Sequence, residues 1–329
     1  MKIVLDAMGG DYAPQAAVEG GVQAAREWGV EVVLVGRQEA VEAELSRHET
    51  SGLPLSVVHA SQVIEMTDHP SIAAKEKKDS SMVVGLEMVK RGQAAAFVSA
   101  GNSGGVLASA LFRLGRIPGI KRPALSTIYP TLEGMCFVLD VGANTDCKPE
   151  YLLQFGIMGS AYAERVLGIP NPRVGIVSTG EEEGKGSILA KEAFQLLEES
   201  GLNFVGNVEG KDIPLGLADV VVTDGFTGNV IIKLSQGVVT LLLSIVEEEI
   251  KRRPQAVLGA LLAKAAFRAA KKRLDYSEYG GGALLGVKGV VIVAHGRSNS
   301  NAIKNAVRVA VRAVERGVLK AIEEGVSKG

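Results

Sequence analysis

Five short segments of the sequence are rich in glycine, serine, threonine and asparagine, and each follows a run of strand-forming residues. They are SAGNSGG (99–105), DVGANTD (140–146), STGEEEGKGS (178–187), TDGFTGN (223–229) and AHGRSNSNA (294–302). Glycine lets backbone N–H groups approach a ligand closely, and a following helix N-terminus adds unpaired donors and a partial positive charge. Such loops bind phosphate and other anions. The same residue types also serve as ordinary caps and turns, but five such loops together favour a shared polar cleft.

The elements that must position these loops are short apolar runs alternating with helical patterns. Strands are predicted over residues 3–5, 30–35, 55–58, 94–99, 137–140, 174–178, 204–208, 218–223 and 290–294. They lack polar alternation, which is typical of strands covered on both faces. Helical patterns fill most gaps, for example over 80–91, 187–199 and 301–324. This order predicts one α/β unit with a largely parallel sheet, whose strand ends line a crevice.

The sequence lacks the motifs of several other chemistries. The segment GEEEGKG (180–186) resembles a Walker A loop, but only three residues separate Gly180 from Gly184, and Gly186 stands where Ser or Thr would bind magnesium. No GxGxxG fingerprint follows the first strand, and the four histidines are scattered without metal-ligand spacing. Asp6 with Asp11, and Asp140 with Asp146, could bind a hard cation, although loop aspartates more often cap helices and turns.

Composition further narrows the functional class of the protein. Cys136 and Cys147 are the only cysteines, which fits a reducing cytoplasm, and neither lies in a nucleophile motif. Aromatic residues are 5% of the chain and the formal net charge is −1, so nothing favours nucleic-acid binding. No signal peptide and no transmembrane helix are predicted. The residues alone predict a cleft that positions an anion, with the anion itself as nucleophile.

At the level of motifs the whole chain resembles the PlsX-type phosphate acyltransferases of bacterial phospholipid synthesis. The matching motifs run in order from DAMGGD near the start through SAGNSG, DVGANTDCKPE, VTDGFTGNV and YGGGALLGVKG to AHGRSNSNA. The resemblance implies a fold similar to the isocitrate/isopropylmalate dehydrogenase and phosphotransacetylase class, with a three-layer α/β/α arrangement. It also implies a homodimer and two intertwined subdomains, which explains why no linker divides the chain.

The resemblance further implies a reaction. An acyl group would pass from acyl-[acyl carrier protein] to inorganic phosphate, and a membrane-bound glycerol-3-phosphate acyltransferase would consume the acyl phosphate. No cofactor and no metal are expected. Two other classes stay open at this point: a dehydrogenase of the same broad fold, which the missing nicotinamide fingerprint argues against, and a non-catalytic binder of acyl chains or membrane surfaces.

The resemblance places the site residues in the glycine-rich loops. It implies catalytic roles for Lys185, His295 and Asn229, with Lys185 as the cation that neutralises phosphate. His295 is either a general acid or base or a structural hydrogen-bonding residue. Substrate or phosphate binding is expected at Asn102, Ser103, Gly104, Asn144, Gly225, Thr227, Gly228, Ser298 and Asn301.

Two charged segments suggest contacts with partners. Lys75, Lys77 and Lys78 precede a helical pattern and could dock the acidic carrier protein, or form a solvated turn offset by nearby acids. Residues 251–275 read as a basic amphipathic helix that starts near Pro254, with Leu258, Leu261 and Leu262 on one face. Such a helix either lies on an anionic membrane surface or packs against a partner chain. The expected location is the cytoplasm, at the membrane surface if this helix binds lipid.

Overall fold

The structure, a computed structural model, describes residues 1–274 and 276–327. Within them the chain forms eleven strands and twelve α-helices. The strands are β1 (Lys2–Asp6), β2 (Glu31–Gly36), β3 (Leu55–His59), β4 (Ala96–Ser99), β5 (Ala124–Pro130), β6 (Met135–Leu139), β7 (Val174–Val177), β8 (Phe204–Val208), β9 (Val220–Val222), β10 (Gly282–Leu285) and β11 (Val290–Val293). The helices are α1 (Gln15–Trp28), α2 (Gln38–Leu45), α3 (Pro70–Glu76), α4 (Ser81–Lys90), α5 (Ser103–Arg113), α6 (Pro149–Tyr162), α7 (Ile188–Glu198), α8 (Gly225–Lys251), α9 (Pro254–Leu262), α10 (Lys264–Leu274), α11 (Ser300–Glu315) and α12 (Val318–Val326).

All of these strands pair in one sheet, in the order β3-β2-β1-β4-β11-β10-β5-β6-β9-β7-β8. Most pairings are parallel, but β10 is antiparallel to both β11 and β5, and β5 is antiparallel to β6. Three successive antiparallel pairings reverse the strand direction, so β6, β9, β7 and β8 run opposite to β1, β4 and β11. The chain builds β1 to β4 first, crosses to the second half of the sheet, and returns through β10 and β11.

Helices cover both faces of the sheet, which makes three layers. Alternate residues of β1 show this, because Ile3 and Leu5 belong to one buried cluster and Val4 to another. Helices α1 and α11 pack together on the first face, and α4 lies against β1, β2 and β4 on the other. In the second half, a smaller cluster around Val138 and Val221 is packed by Ile231 of α8. The predicted three-layer fold with a largely parallel sheet is confirmed.

The structure corrects several predicted elements. Strands β5 and β10, the antiparallel pair in the middle of the sheet, were not expected. The helix predicted over 301–324 is two helices, because Gly317 adopts a left-handed backbone with φ of 63° between α11 and α12. The helix predicted over 251–275 is also two, since α9 ends at Leu262 and α10 begins at Lys264. The final residue of that segment, Asp275, lies outside the described residues.

Candidate active site

The N-terminus of α8 is packed tightly against the loop that follows β6. The backbone N–H of Gly225 donates to the carbonyl oxygen of Asn144 at 2.7 Å. A Cβ on Gly228 would lie 1.9 Å from the carbonyl oxygen of Asp140, so only glycine allows this approach. Asp224 caps the helix by accepting from the backbone N–H and the hydroxyl of Thr227. These contacts hold the loop that follows β9 in place against the loop that follows β6.

The loop after β6 is organised by one buried carboxylate. Asp140 accepts hydrogen bonds from the backbone N–H groups of Leu125, Gly142, Ala143 and Asn144, and from the Asn144 side chain. Burial raises the pKa of this carboxyl group, while the hydrogen bonds favour its charged form. Asn144 also donates to the carbonyl oxygen of Pro123 at 2.8 Å. Asp140 and Asn144 thus hold the loop in shape, and the Asp140 carboxylate is occupied by hydrogen bonds from the loop.

A second group of loops meets at the ends of β1, β4 and β11. The backbone N–H of Asp11 donates to the carbonyl oxygen of Gly296 at 2.8 Å, and Gly10 approaches Ala100 closely. Asp6, fully buried, accepts from the Ser99 hydroxyl at 2.7 Å and from the Met8 N–H. Like Asp140, Asp6 supports loops and carries a pKa raised mainly by burial. The loops containing DAMGGD, SAGNSGG and AHGRSNSNA are therefore neighbours.

The first three turns of α8 connect the two groups of loops. Asn229, Lys233 and Gln236 are spaced i, i+4 and i+7, which places them on one face of the helix. At one end, the Cβ of Asn229 lies 3.9 Å from the position that a Cβ on Gly142 would take. At the other end, Nε2 of Gln236 lies 3.3 Å from Nε2 of His295. Seven residues of helix span about 10 Å, so this face reaches from one loop group to the other, and we call the space beside it the cleft.

The direction of the strands corrects the simple picture of five loops at one edge. The loops at 140–146, 178–187 and 223–229 follow strands that run opposite to those before 99–105 and 294–302. The prediction that all five end one set of parallel strands is wrong. What unites the two groups is α8, which starts in one and passes the other.

Two positive charges, those of Lys233 and Arg297, act on His295 at this face. Lys233 lowers the pKa of His295 below its ordinary value together with Arg297, and packing around the ring contributes most of that change. His295 is therefore a neutral imidazole at pH 7. Lys185 is exposed in the loop after β7, beside three glutamates. The thiols of Cys136 and Cys147 both have a pKa raised to about 12, chiefly by burial, so neither is an activated nucleophile.

Several residues predicted to bind substrate already have partners within the fold. The side-chain oxygen of Asn102 caps α5 by accepting from Gly105 N–H, and its amide nitrogen points at the carbonyl oxygens of Glu65, Met66 and Asp68. Asn301 donates to Glu278 at 3.1 Å. By contrast, the Asn229 side chain has no hydrogen-bond partner among the described residues. Asn229 is thus available to a ligand, whereas Asn102 and Asn301 are placed as structural residues.

The remaining predicted residues line the two loop groups. Ser103 is exposed in the first turn of α5, and Gly104 packs against Pro70. Ser298 is buried, with its N–H bonded to the carbonyl oxygen of His295.

Lys233 and Gln236 were not predicted, although helical spacing from Asn229 would have found them. A cluster of Glu181, Glu209 and Asp212 was also not predicted, and the ammonium group of Lys211 contacts all three carboxylates. One ammonium group offsets only part of the charge of three carboxylates, so this cluster keeps a net negative charge.

Comparison with known proteins identifies the family. A family profile described as "Fatty acid synthesis protein" matches residues 1–321. A phosphate acyltransferase of Alkaliphilus oremlandii is 52% identical over 327 residues, 99% of this chain and 98% of that protein. One from Heliobacterium modesticaldum is 51% identical over 327 residues, with the same coverage. The chain belongs to the PlsX-type phosphate acyltransferases.

Solved structures place this PlsX-type fold among known architectures. The EutD phosphotransacetylase of Staphylococcus aureus superimposes with a TM-score of 0.60 at 17% identity, covering 96% of this chain and 94% of that one. A 4-hydroxythreonine-4-phosphate dehydrogenase of Klebsiella pneumoniae gives 0.56 at 13% identity, covering 95% and 99%. At such low identity the similarity shows the fold alone. It confirms the predicted relation to the phosphotransacetylase class.

Proposed function

We propose that this chain transfers an acyl group from acyl-[acyl carrier protein] to inorganic phosphate, giving acyl phosphate. The observation that supports it most is the polar face of α8, where an unpartnered amide and a cation lie between two glycine-rich loop groups. A cleft with neutral donors and positive charge suits a phosphate anion. Both cysteine thiols stay protonated at neutral pH, so phosphate itself is the nucleophile.

In this mechanism the residues position the reactants and move one proton. A phosphate oxygen attacks the thioester carbonyl, the new C–O bond forms, and the C–S bond breaks to release the carrier thiolate. The Asn229 amide donates to the oxygen that becomes negative, and a cation beside the bound phosphate offsets its charge. His295, as a neutral imidazole, accepts the phosphate proton and returns it to the thiolate.

The direct test is phosphate-dependent release of carrier thiol from an acyl-carrier substrate, with acyl phosphate trapped by hydroxylamine. We expect thiol release and hydroxamate in equal amounts, both requiring phosphate. A variant with Cys136→Ala and Cys147→Ala should keep most of the activity, because neither thiol takes part. Thiol release without phosphate, or an acyl group trapped on either cysteine, would contradict the mechanism.

The carrier protein is proposed to dock beside α3. Lys75 lies over the ring of Phe112, 5.1 Å from its centroid, and both Phe112 and Ile72 are exposed. Lys77 is already bonded to Asp68 and to the carbonyl oxygen of Val63, so it contributes little free charge. Of the three predicted lysines, Lys75 and Lys78 are therefore the ones available to an acidic partner.

We expect Lys75→Glu/Lys78→Glu to raise the Michaelis constant for the carrier substrate at low salt and to matter less at high salt, since exposed charges are screened. Lys191→Glu is the control, because Lys191 is an exposed residue of α7 in the other half of the sheet. An unchanged Michaelis constant at low salt would exclude docking here.

The outer part of α8 and the two helices after it expose an apolar surface. Leu234, Leu241 and Leu242 of α8 are each more than half exposed, and Leu262 of α9 is 84% exposed. Among the described residues, α8 is the one helix long and apolar enough to cross a membrane by length and composition, although none had been predicted. Its N-terminal turns, however, are bound into the domain at Asp140 and His295. We propose that a second copy of the chain covers this part of α8.

The helices α9 and α10 are proposed to contact the membrane where a glycerol-3-phosphate acyltransferase consumes the product. Leu258 and Leu261 are each 63% exposed, and Leu262 is 84% exposed. The basic residues before Pro254 are less free than predicted, because Lys251, Arg252 and Arg253 pair with glutamates one turn earlier. Apolar contact is therefore the larger contribution, in a protein that is otherwise cytoplasmic.

We expect the wild type to pellet with anionic phospholipid vesicles and the Leu258→Glu/Leu262→Glu variant to stay in solution while remaining a folded dimer. Size-exclusion chromatography and circular dichroism are the controls. If the wild type fails to pellet, the membrane contact is excluded; a variant that becomes monomeric would assign these leucines to the dimer instead.

A further inference from the structure

One basic residue beside the cleft, Lys233 of α8, has no acidic partner in the described part of the chain. Lys233 lies on α8 between Asn229, one turn before it, and Gln236, one turn after it. Its side chain is exposed and forms no ion pair or hydrogen bond with any residue in 1–274 or 276–327. By contrast, the basic residues at the C-terminal end of α8 are all paired with glutamates, namely Lys251, Arg252 and Arg253. Lys233 is therefore the basic residue of α8 that has no acidic partner among the described residues.

The alternative cation, Lys185, sits in a less favourable field for an anion. One residue, Gly184, separates it from Glu181, Glu182 and Glu183, and its backbone N–H donates to the Glu182 carbonyl oxygen. Three carboxylates repel a phosphate dianion at short range. Near His295 a second positive charge, Arg297, lowers the pKa of the imidazole in the same direction as Lys233. Asp11 is the acidic neighbour of that loop, on the Gly296 side.

We propose that Lys233 is the cation that binds the phosphate group in the cleft, with Asn229 and Gln236 flanking the same ligand. The assignment rests on the proposed acyl transfer to phosphate and names the residue that holds the acceptor. The anchored ends of this helix face fix where Lys233 stands: Asn229 against the Gly142 loop and Gln236 against His295. A phosphate bound there lies within reach of the Asn229 amide and the imidazole, as attack on a thioester requires.

Lys233→Met removes the charge while keeping most of the apolar stem, and Lys233→Arg restores it. Lys251→Met, at the far end of α8, is the matched control. Binding of inorganic phosphate is measured by isothermal titration calorimetry, and Michaelis constants are measured separately for phosphate and for the acyl-carrier substrate. We expect Lys233→Met to weaken phosphate binding and raise its Michaelis constant roughly ten- to a hundred-fold, the range for one hydrogen bond to a charged group. Lys233→Arg and Lys251→Met should stay within a few-fold of wild type.

A second measurement checks the geometry without any turnover. The ring signals of His295 are titrated by NMR in wild type and Lys233→Met. Since the lysine charge lowers the pKa of His295, its removal should raise that pKa. A folded Lys233→Met protein with wild-type phosphate affinity overturns the proposal, as does a change confined to the Michaelis constant of the acyl donor, which would place the donor there instead.

The two proposals fail in different ways. If wild type binds phosphate through Lys233 but releases no carrier thiol, the site stands and the acyl transfer is wrong. If thiol release depends on phosphate while Lys233→Met binds phosphate normally, the acyl transfer stands and Lys233 is only a surface residue.

Discussion

Gly228→Ala is expected to abolish most activity and to lower the melting temperature. The added methyl group would lie 1.9 Å from the carbonyl oxygen of Asp140, so α8 must move by about 1.5 Å to reach an ordinary 3.4 Å contact. Overpacking of this kind costs roughly 1–3 kcal/mol of unfolding free energy or more. A displacement of about 1 Å at the site can cost on the order of 10²-fold in rate, and this shift carries Asn229 and Lys233 with it. Turnover and thermal unfolding of the same preparation provide the test.

Gly237→Ala is the matched control on the same helix. No atom lies within 4 Å of a Cβ placed there, and the residue is exposed within α8. Alanine should therefore stabilise the helix by about 0.5–1 kcal/mol without changing turnover. A Gly228→Ala protein that behaves like Gly237→Ala would show that α8 is not seated against the Asp140 loop as described.

Asn229→Ala is expected to lower the turnover number by roughly 10²–10³, because one preorganised donor to the developing oxyanion is lost. Its melting temperature should stay close to that of wild type, since the amide has no hydrogen-bond partner among the described residues. Rates at saturating phosphate and acyl carrier, with calorimetric melting curves, measure the two effects separately.

Asn102→Ala should show the opposite balance. Its side chain caps α5 and holds the chain around Met66, so its loss should cost about 1 kcal/mol of stability or somewhat more. Turnover of the folded protein should be affected far less than in Asn229→Ala. Similar rate losses in both variants would return Asn102 to the ligand-binding residues and contradict its structural role.

The parallel strands and their order along the chain were predictable because apolar residues fill them on both faces. The strands β5 and β10 were missed for local reasons: β5 mixes Ser, Thr and Tyr with its apolar residues, and β10 begins at the last of three consecutive glycines. These two strands reverse the sheet direction, so the grouping of the loops could not follow from the sequence either. The break at Gly317 depends on a left-handed backbone that many helical glycines do not adopt.

The candidate site was predicted in part. Loop composition located the glycine-rich segments, and the family resemblance selected residues within them. Composition could not tell which amides are free, because Asn102 and Asn229 both lie in glycine-rich segments, and only the structure shows that Asn102 caps α5 and binds the chain around Met66. Lys233 lies outside every loop, and its role depends on which face of α8 meets His295.

The length of α8 has a mechanical consequence. Its 27 residues span about 40 Å, with the cleft residues in the first three turns and the uncovered apolar surface beyond them. A rigid tilt of the helix would therefore pivot at the contact between Gly228 and Asp140. A tilt of about 5° moves Gln236 by roughly 1 Å and the outer end by roughly 3 Å. A protein or lipid that binds the outer end therefore affects the alignment of Lys233 and Gln236, and a movement of the outer end is about three times larger than the movement of Gln236.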